Sequence, residues 1–176
     1  MLSDILLVVD MQNDFITGSL GTKEAQEIVD NVINKVRGYT KEKKLIIFTK
    51  DTHYKSLYSN SHEGRYLPVE HCIQGTNGWE IEKNILAEVN NEMVRYISKG
   101  SFGKYYWDNA ITEEFKSIEI IGLCTDICVI SNALILRSRF PEAYIIIDAS
   151  CCAGTSPEKH KEALDVMRSC HIDIIN

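Results

Sequence analysis

Ser117-Ile118-Glu119-Ile120-Ile121-Gly122-Leu123-Cys124-Thr125-Asp126-Ile127-Cys128-Val129 is the stretch from which the fold can be read. Ser117 to Ile121, with isoleucines at 118, 120 and 121, reads as a buried strand. Asp126 to Arg139 carries Val129, Ile130, Ala133, Leu134 and Leu136, enough apolar side chains for a helix buried in a core or an interface. Its N-cap is expected at Thr125 or Asp126. Cys128 then falls in the first turn, where unpaired backbone N–H groups and the helix dipole favour negative charge. The expectation is a thiol of lowered pKa, a nucleophile rather than a core filler. A cysteine taken alone is more often a small buried hydrophobe, so the case rests on what else arrives beside it.

The same alternation extends in both directions. Ile5–Val9, Leu45–Phe48, Met93–Ile97, Tyr144–Ile147 and Ile172–Ile175 read as further strands. Ala25, Ile28, Val29, Val32, Ile33 and Val36 recur at helical spacing, and Glu80–Val89 and Glu158–Ser169 read as helices. Parallel neighbours need crossover connections, so this order predicts an α/β fold: a three-layer α/β/α, Rossmann-type arrangement around a six-stranded parallel sheet. Asp51 to Trp79 is too long for a plain connector, and its Tyr, Leu, Pro, Trp and His content argues for a functional segment.

In such sheets ligands bind beyond the carboxyl ends of the strands. The first strand ends at Asp10, the second at Asp51, the third runs into Lys99 and the fourth leads to Cys128. Asp10 could accept the proton of Cys128 and return it to a leaving group; it could equally bond the backbone of the turn Gln12-Asn13-Asp14. Lys99 could favour a thiolate and hold Asp10, or be a solvated lysine at a strand end. In an extended segment Asp51 and His53 project to one side, and with His71 they make a carboxylate and two imidazoles suited to Zn²⁺, Mn²⁺ or Fe²⁺. His62 and Glu63 both stand between the two histidines as possible fourth ligands, whereas Cys72 should point elsewhere.

Composition narrows the partners. The chain has 176 residues, read as one domain over 1–176. Its 19 basic and 25 acidic residues give a net charge of −6, which argues against a general nucleic-acid binder. The start Met1-Leu2-Ser3-Asp4-Ile5 lacks the pattern of a signal peptide, and no apolar stretch approaches the ~20 residues of a membrane span. A cytoplasmic location is expected, with the six cysteines as reduced thiols. Cys151, Cys152 and Cys170 then read as ordinary buried or partly buried residues.

Five segments together resemble one family. They are Asp10-Met11-Gln12-Asn13-Asp14-Phe15, Asp51-Thr52-His53, His71-Cys72-Ile73-Gln74-Gly75-Thr76, Lys99-Gly100-Ser101-Phe102 and Gly122-Leu123-Cys124-Thr125-Asp126-Ile127-Cys128-Val129. In this order they are similar to the isochorismatase-like cysteine hydrolases, and within them to the nicotinamidases. The resemblance implies Asp10, Lys99 and Cys128 as a catalytic triad, and Asp51, His53 and His71 as ligands of a divalent ion, zinc favoured, with Glu63 as the fourth. It implies a cis peptide between Leu123 and Cys124, an oxyanion site at the backbone N–H groups of Cys124 and Cys128, and a ring slot near Phe15, Phe102 and Leu123. Tyr105 and Trp107 are further aromatic candidates for that slot. Where members of the family carry an aromatic residue and proline before the ligating histidine, this chain has Leu67-Pro68-Val69-Glu70-His71.

The implied reaction is hydrolysis of a small carboxamide, nicotinamide foremost, through a Cys128 thioester. The alternatives are a related amidase acting on a carbamoyl or ureido compound, an isochorismatase-like hydrolase of another substrate, or a metal-bound thiol sensor. Family members commonly form dimers or tetramers, so a homo-oligomer is expected, with a small-molecule amide as ligand and neither nucleic acid nor membrane as partner.

Overall fold

The computed structural model of the chain describes residues 2–90 and 92–176. Its strands are β1 (Ile5–Val9), β2 (Leu45–Asp51), β3 (Val94–Lys99), β4 (Ser117–Leu123), β5 (Tyr144–Ala153) and β6 (Asp173–Ile175). They form one sheet in the order β3-β2-β1-β4-β5-β6, with every pairing parallel. The helices are α1 (Asn13–Ile16), α2 (Lys23–Glu27), α3 (Val29–Lys41), α4 (Lys55–Tyr58), α5 (His62–Tyr66), α6 (Lys83–Ala87), α7 (Ile130–Arg139) and α8 (Pro157–Ser169). This is the expected α/β/α arrangement. No helix among the described residues is long and apolar enough to cross a membrane.

The pleat sorts the core. Alternate residues of β1 face opposite sides, so Ile5, Leu7 and Val9 pack with Val129, Ala133 and Leu136 of the α7 arm and Leu164 and Met167 of α8. Leu6 and Val8 pack with Ile28, Val32, Val36 and Tyr39, the apolar stripe of α3. Both faces are covered, which is why the central strands read as continuous apolar runs. At the centre, β4 approaches β1 so closely at Gly122 (φ +119°) that a Cβ there would overlap the backbone of Val9. Only glycine fits that conformation and that gap.

Two helices differ from the sequence expectation. The one expected over Glu80–Val89 begins only at Lys83, because Ile81 bridges Gln12 as extended backbone and the Glu82 carboxylate caps Asn84 and Ile85. The one expected from Asp126 begins with a π turn over Thr125–Val129, capped at Cys124 with no side-chain hydrogen bond, before α7 proper. Val129 N–H donates to Cys124 C=O at 3.0 Å, five residues back. Neither Thr125 nor Asp126 is the cap.

The segment 51–79 folds back on the rim of the sheet. His53 N–H donates to Cys72 C=O at 3.0 Å and Gln74 N–H to His53 C=O at 2.8 Å. That short parallel bridge carries His71 alongside His53, although the two are far apart in sequence.

Candidate active site

Asp10 leaves β1 with a φ of +50°, a left-handed conformation that Asp tolerates better than most residues. The turn folds its side chain inward rather than onto the following backbone. Thr49 Oγ1 donates to Asp10 Oδ1 at 2.6 Å, and Lys99 Nζ lies 2.6 Å from Asp10 Oδ2. The competing arrangement, with the Asp10 carboxylate on the N–H groups of the next turn, is absent: Gln12 N–H bonds the Asp10 carbonyl instead. Lys99 is likewise no solvated lysine. Its side chain is 2 % exposed, donates to Cys128 Sγ at 3.5 Å and lies 3.6 Å from Asp51 Oδ1. An acid, a cation and a thiol from three separate strand ends therefore meet in one buried cluster.

The electrostatics correct one expectation. Cys128 does not have a lowered pKa. Burial pushes the thiol well above its ordinary value, the Asp10 charge pushes it further, and Lys99 only partly opposes them. Burial likewise raises Asp10 against the pull of Lys99. Lys99 moves the other way from what burial alone would do, because Asp10, Cys128 and Asp51 all favour its charged form. The helix-terminus argument fails because Cys128 sits within a π turn at 6 % exposure, where desolvation outweighs the backbone dipoles. At neutral pH the thiol is protonated, and an attack on a carbonyl requires a base to remove that proton.

A second cluster adjoins the first. Asp51, His53, Glu63 and His71 each offer a ligand atom, all within 4.8 Å of one another. His53 Nε2 lies 3.0 Å from Asp51 Oδ2 and 3.7 Å from Glu63 Oε1; His71 Nε2 lies 3.5 and 3.4 Å from the same two oxygens. His71 Nδ1 is 2.9 Å from the Val69 carbonyl, which can only accept, so Nδ1 carries a proton. The Nε2 lone pair of neutral His71 then faces two carboxylate oxygens, an acceptor set against acceptors that needs a cation between them. Without one, a proton serves: although burial pulls it down, hydrogen bonds to Asp51 and Glu63 push His71 up to about 10. The donor set, two imidazoles and two carboxylates, fits a divalent ion such as zinc. Glu63 rather than His62 joins this cluster, since His62 stacks on Tyr66 with ring centroids 4.8 Å apart. Gly64 allows this placement, for a side chain there would overlap the Tyr58 carbonyl.

Cys128 and all four members of the second cluster line one cavity of about 780 Å³, with Phe15, Phe102, Leu123 and Cys124 also in its lining. The Phe15 ring lies 5.5 Å from the His71 ring, centroid to centroid. The Leu123–Cys124 peptide is cis. Two aromatic candidates fall elsewhere: Trp107 is wholly buried in the core beside α7, and Tyr105 is 75 % exposed outside the cavity lining.

Several supporting residues escaped the sequence reading. Gln12 Nε2 donates to the Asp51 carbonyl at 2.9 Å and its Oε1 accepts from Asp51 N–H at 2.7 Å, which ties the turn after β1 to the end of β2. Asp14 accepts from Cys72 N–H at 2.7 Å and so anchors the segment bearing His71. Asn132, wholly buried, donates to the carbonyls of Cys128 (2.8 Å) and Phe102 (3.3 Å) and accepts from Lys104 N–H (2.9 Å). It ties the glycine-bearing loop to the turn that carries the thiol. The available signal was a lone amide four residues after Cys128 on an otherwise apolar helix face.

Comparison with known proteins finds relatives of the same fold along the whole chain. A curated nicotinamidase of Saccharomyces cerevisiae is 22 % identical over 213 residues, spanning 97 % of this chain and 98 % of the yeast protein. The solved nicotinamidase/pyrazinamidase of Bacillus subtilis superposes with a TM-score of 0.87 at 23 % identity, covering 99 % of this chain and all of the other. A pyrazinamidase of Pyrococcus horikoshii in complex with zinc gives 0.80 at 26 % identity, covering 99 % of each chain. The isochorismatase domain model matches residues 4–176, practically the whole described chain, and the protein belongs to the isochorismatase family.

Proposed function

We propose that this chain is a divalent-metal-dependent cysteine amidohydrolase that converts nicotinamide to nicotinate and ammonia through a thioester on Cys128. The observation that carries the reading is the buried Asp10–Lys99–Cys128 cluster beside a four-ligand cation site, with Cys128 and the four ligands lining one cavity. The yeast and B. subtilis nicotinamidases, which the chain matches end to end, support nicotinamide as substrate. A metal-bound thiol sensor would use the ligand set but needs no acid and cation paired beside its thiol.

In the first step Asp10 takes the Cys128 proton as sulfur attacks the amide carbonyl. Lys99 keeps Asp10 ionised until then and holds it beside the sulfur. The backbone N–H groups of Cys124 and Cys128 stabilise the oxyanion, an effect of about 3 kcal/mol per donor in comparable sites. Asp10 next protonates the departing nitrogen, and ammonia leaves a thioester on Cys128. Asp10 then deprotonates a water, which attacks the thioester; the acid is released and the thiol regains its proton. Asp51, His53, Glu63 and His71 would hold the ion, with zinc favoured by the zinc-bound relative. When bound, it supplies positive charge that orients the substrate ring.

Purified, metal-loaded protein should release ammonia from nicotinamide with a kcat of at least about 1 s⁻¹; no release would remove nicotinamide as the substrate. The pH profile follows from the two shifted groups. The working form pairs ionised Asp10 with protonated Cys128, so kcat/KM rises with pH through a raised Asp10 pKa and falls only where the raised Cys128 pKa is passed. The acid limb should lie above the usual carboxylate pKa of about 4, and the alkaline limb above the usual thiol pKa of about 8.5. An acid limb at or below the usual carboxylate pKa of about 4 would contradict this assignment.

Elemental analysis should find about one divalent ion per chain, the stoichiometry of a single four-ligand site. Its removal by chelation should raise KM at least tenfold and lower the thermal midpoint by a few degrees, reversed by zinc. Unchanged KM and midpoint in a verified metal-free sample would take the ion out of the mechanism.

A further inference from the structure

The cavity above Cys128 is larger than a single pyridine ring requires. Open at its mouth, it holds about 780 Å³, of which an ion on Asp51, His53, Glu63 and His71 would take a small share. Nicotinamide has nine non-hydrogen atoms, which at the ~30 Å³ that each molecule of liquid water claims occupy roughly 270 Å³, a third of that space. Cavities of roughly 300–1,000 Å³ ordinarily enclose drug-sized ligands.

The surplus is apolar in character. Cys128, the cation ligands, Phe15, Phe102 and Leu123 all belong to the lining, and the Phe15 ring lies 5.5 Å from that of His71. The lining continues to Leu20, in the loop between α1 and α2, to Tyr66 and Leu67 at the end of α5, and to Ile127 in the π turn. Tyr66 is 80 % exposed and Leu67 36 %, so large apolar side chains at the cavity mouth face water. One ring beside Cys128 leaves that surface wet; a second ring would remove it from water, which is favourable.

We propose that the site also hydrolyses carboxamides carrying a second, apolar ring, which lies against Leu20, Tyr66, Leu67 and Ile127 while the amide stays at Cys128. This rests on the amidohydrolase reading above and extends its substrate class. The bond changes are the same: sulfur bonds the carbonyl carbon, the C–N bond breaks, ammonia leaves with the proton from Asp10, and water releases the acid.

The test compares ammonia release from nicotinamide, 5-phenylnicotinamide and 6-phenylnicotinamide by the metal-loaded protein, with Leu20→Trp alongside. The expected result is a kcat/KM for at least one phenyl compound within 100-fold of that for nicotinamide. Leu20→Trp should lower the ratio of phenyl-compound to nicotinamide kcat/KM at least tenfold. Turnover of nicotinamide with both phenyl compounds more than 100-fold slower would overturn the inference and leave the nicotinamidase reading standing. Turnover of a phenyl compound without nicotinamide would support the inference and displace nicotinamide. Silence with all three would overturn both. The wild-type comparison needs no variant, so it decides the matter even if Leu20→Trp fails to fold.

Discussion

Cys128→Ala is expected to lower kcat for nicotinamide at least about 10⁴-fold, the scale on which removal of a nucleophile acts in covalent hydrolases. The fold should survive. The sulfur lines a cavity that already exists, so its removal opens no new void, and a loss of about 1 kcal/mol is expected, or about 2–4 °C in a chain of this length. Lys99 gives up only its 3.5 Å contact to sulfur and keeps Asp10 at 2.6 Å. Cys128→Ser should be nearly as inactive, because a hydroxyl is harder to deprotonate than a thiol whose pKa is already raised. Ammonia release above a tenth of the parent rate in the alanine variant would end the thioester mechanism. Mass spectrometry of acid-quenched parent enzyme should find the acyl group on Cys128 and on no other cysteine.

The strands and the groups at their ends were legible for one physical reason. A strand covered on both faces must be apolar, so Asp10 and Asp51 stand out just past the apolar runs of β1 and β2, whereas Lys99 closes the alternating, half-exposed edge strand β3. The pairing of His53 with His71 was legible only as residue chemistry, since nothing local announces the bridge between His53 and Ile73. Thr49 was hidden inside its strand, where a threonine reads as an ordinary β residue, yet its hydroxyl orients Asp10. The π turn has no compositional signature, and the thiol pKa was misjudged with it. A rule about helix ends describes partly solvated termini, whereas Cys128 is buried within its π turn. Trp107 illustrates the remaining ambiguity: an aromatic residue near a reactive loop serves equally well as core, and here it is core.

Asp10→Asn and Lys99→Met should each abolish turnover and each destabilise the protein, but the double variant should recover stability without recovering activity. The two side chains are 0 % and 2 % exposed and 2.6 Å apart, so either single change leaves a buried group facing a lost partner. Breaking such a pair costs about 3–5 kcal/mol, whereas replacing both members with uncharged groups is often neutral. Lys99→Met should be the milder of the two singles, because Asp10, already raised by burial, can take up a proton and become neutral. Lys99 has no such escape, since its neighbours favour the charged form, and in Asp10→Asn it keeps only Asp51 at 3.6 Å. Denaturant unfolding of the four proteins forms a cycle whose coupling should exceed about 1.5 kcal/mol, well beyond the additivity expected of independent sites. Activity should show no such recovery, because the side-chain amide that replaces the Asp10 carboxylate in the double variant cannot accept the thiol proton, a step typically worth about 10²–10⁴-fold. Additive stabilities would show that the pair does not hold this site together. An active double variant would show that Asp10 is not the base.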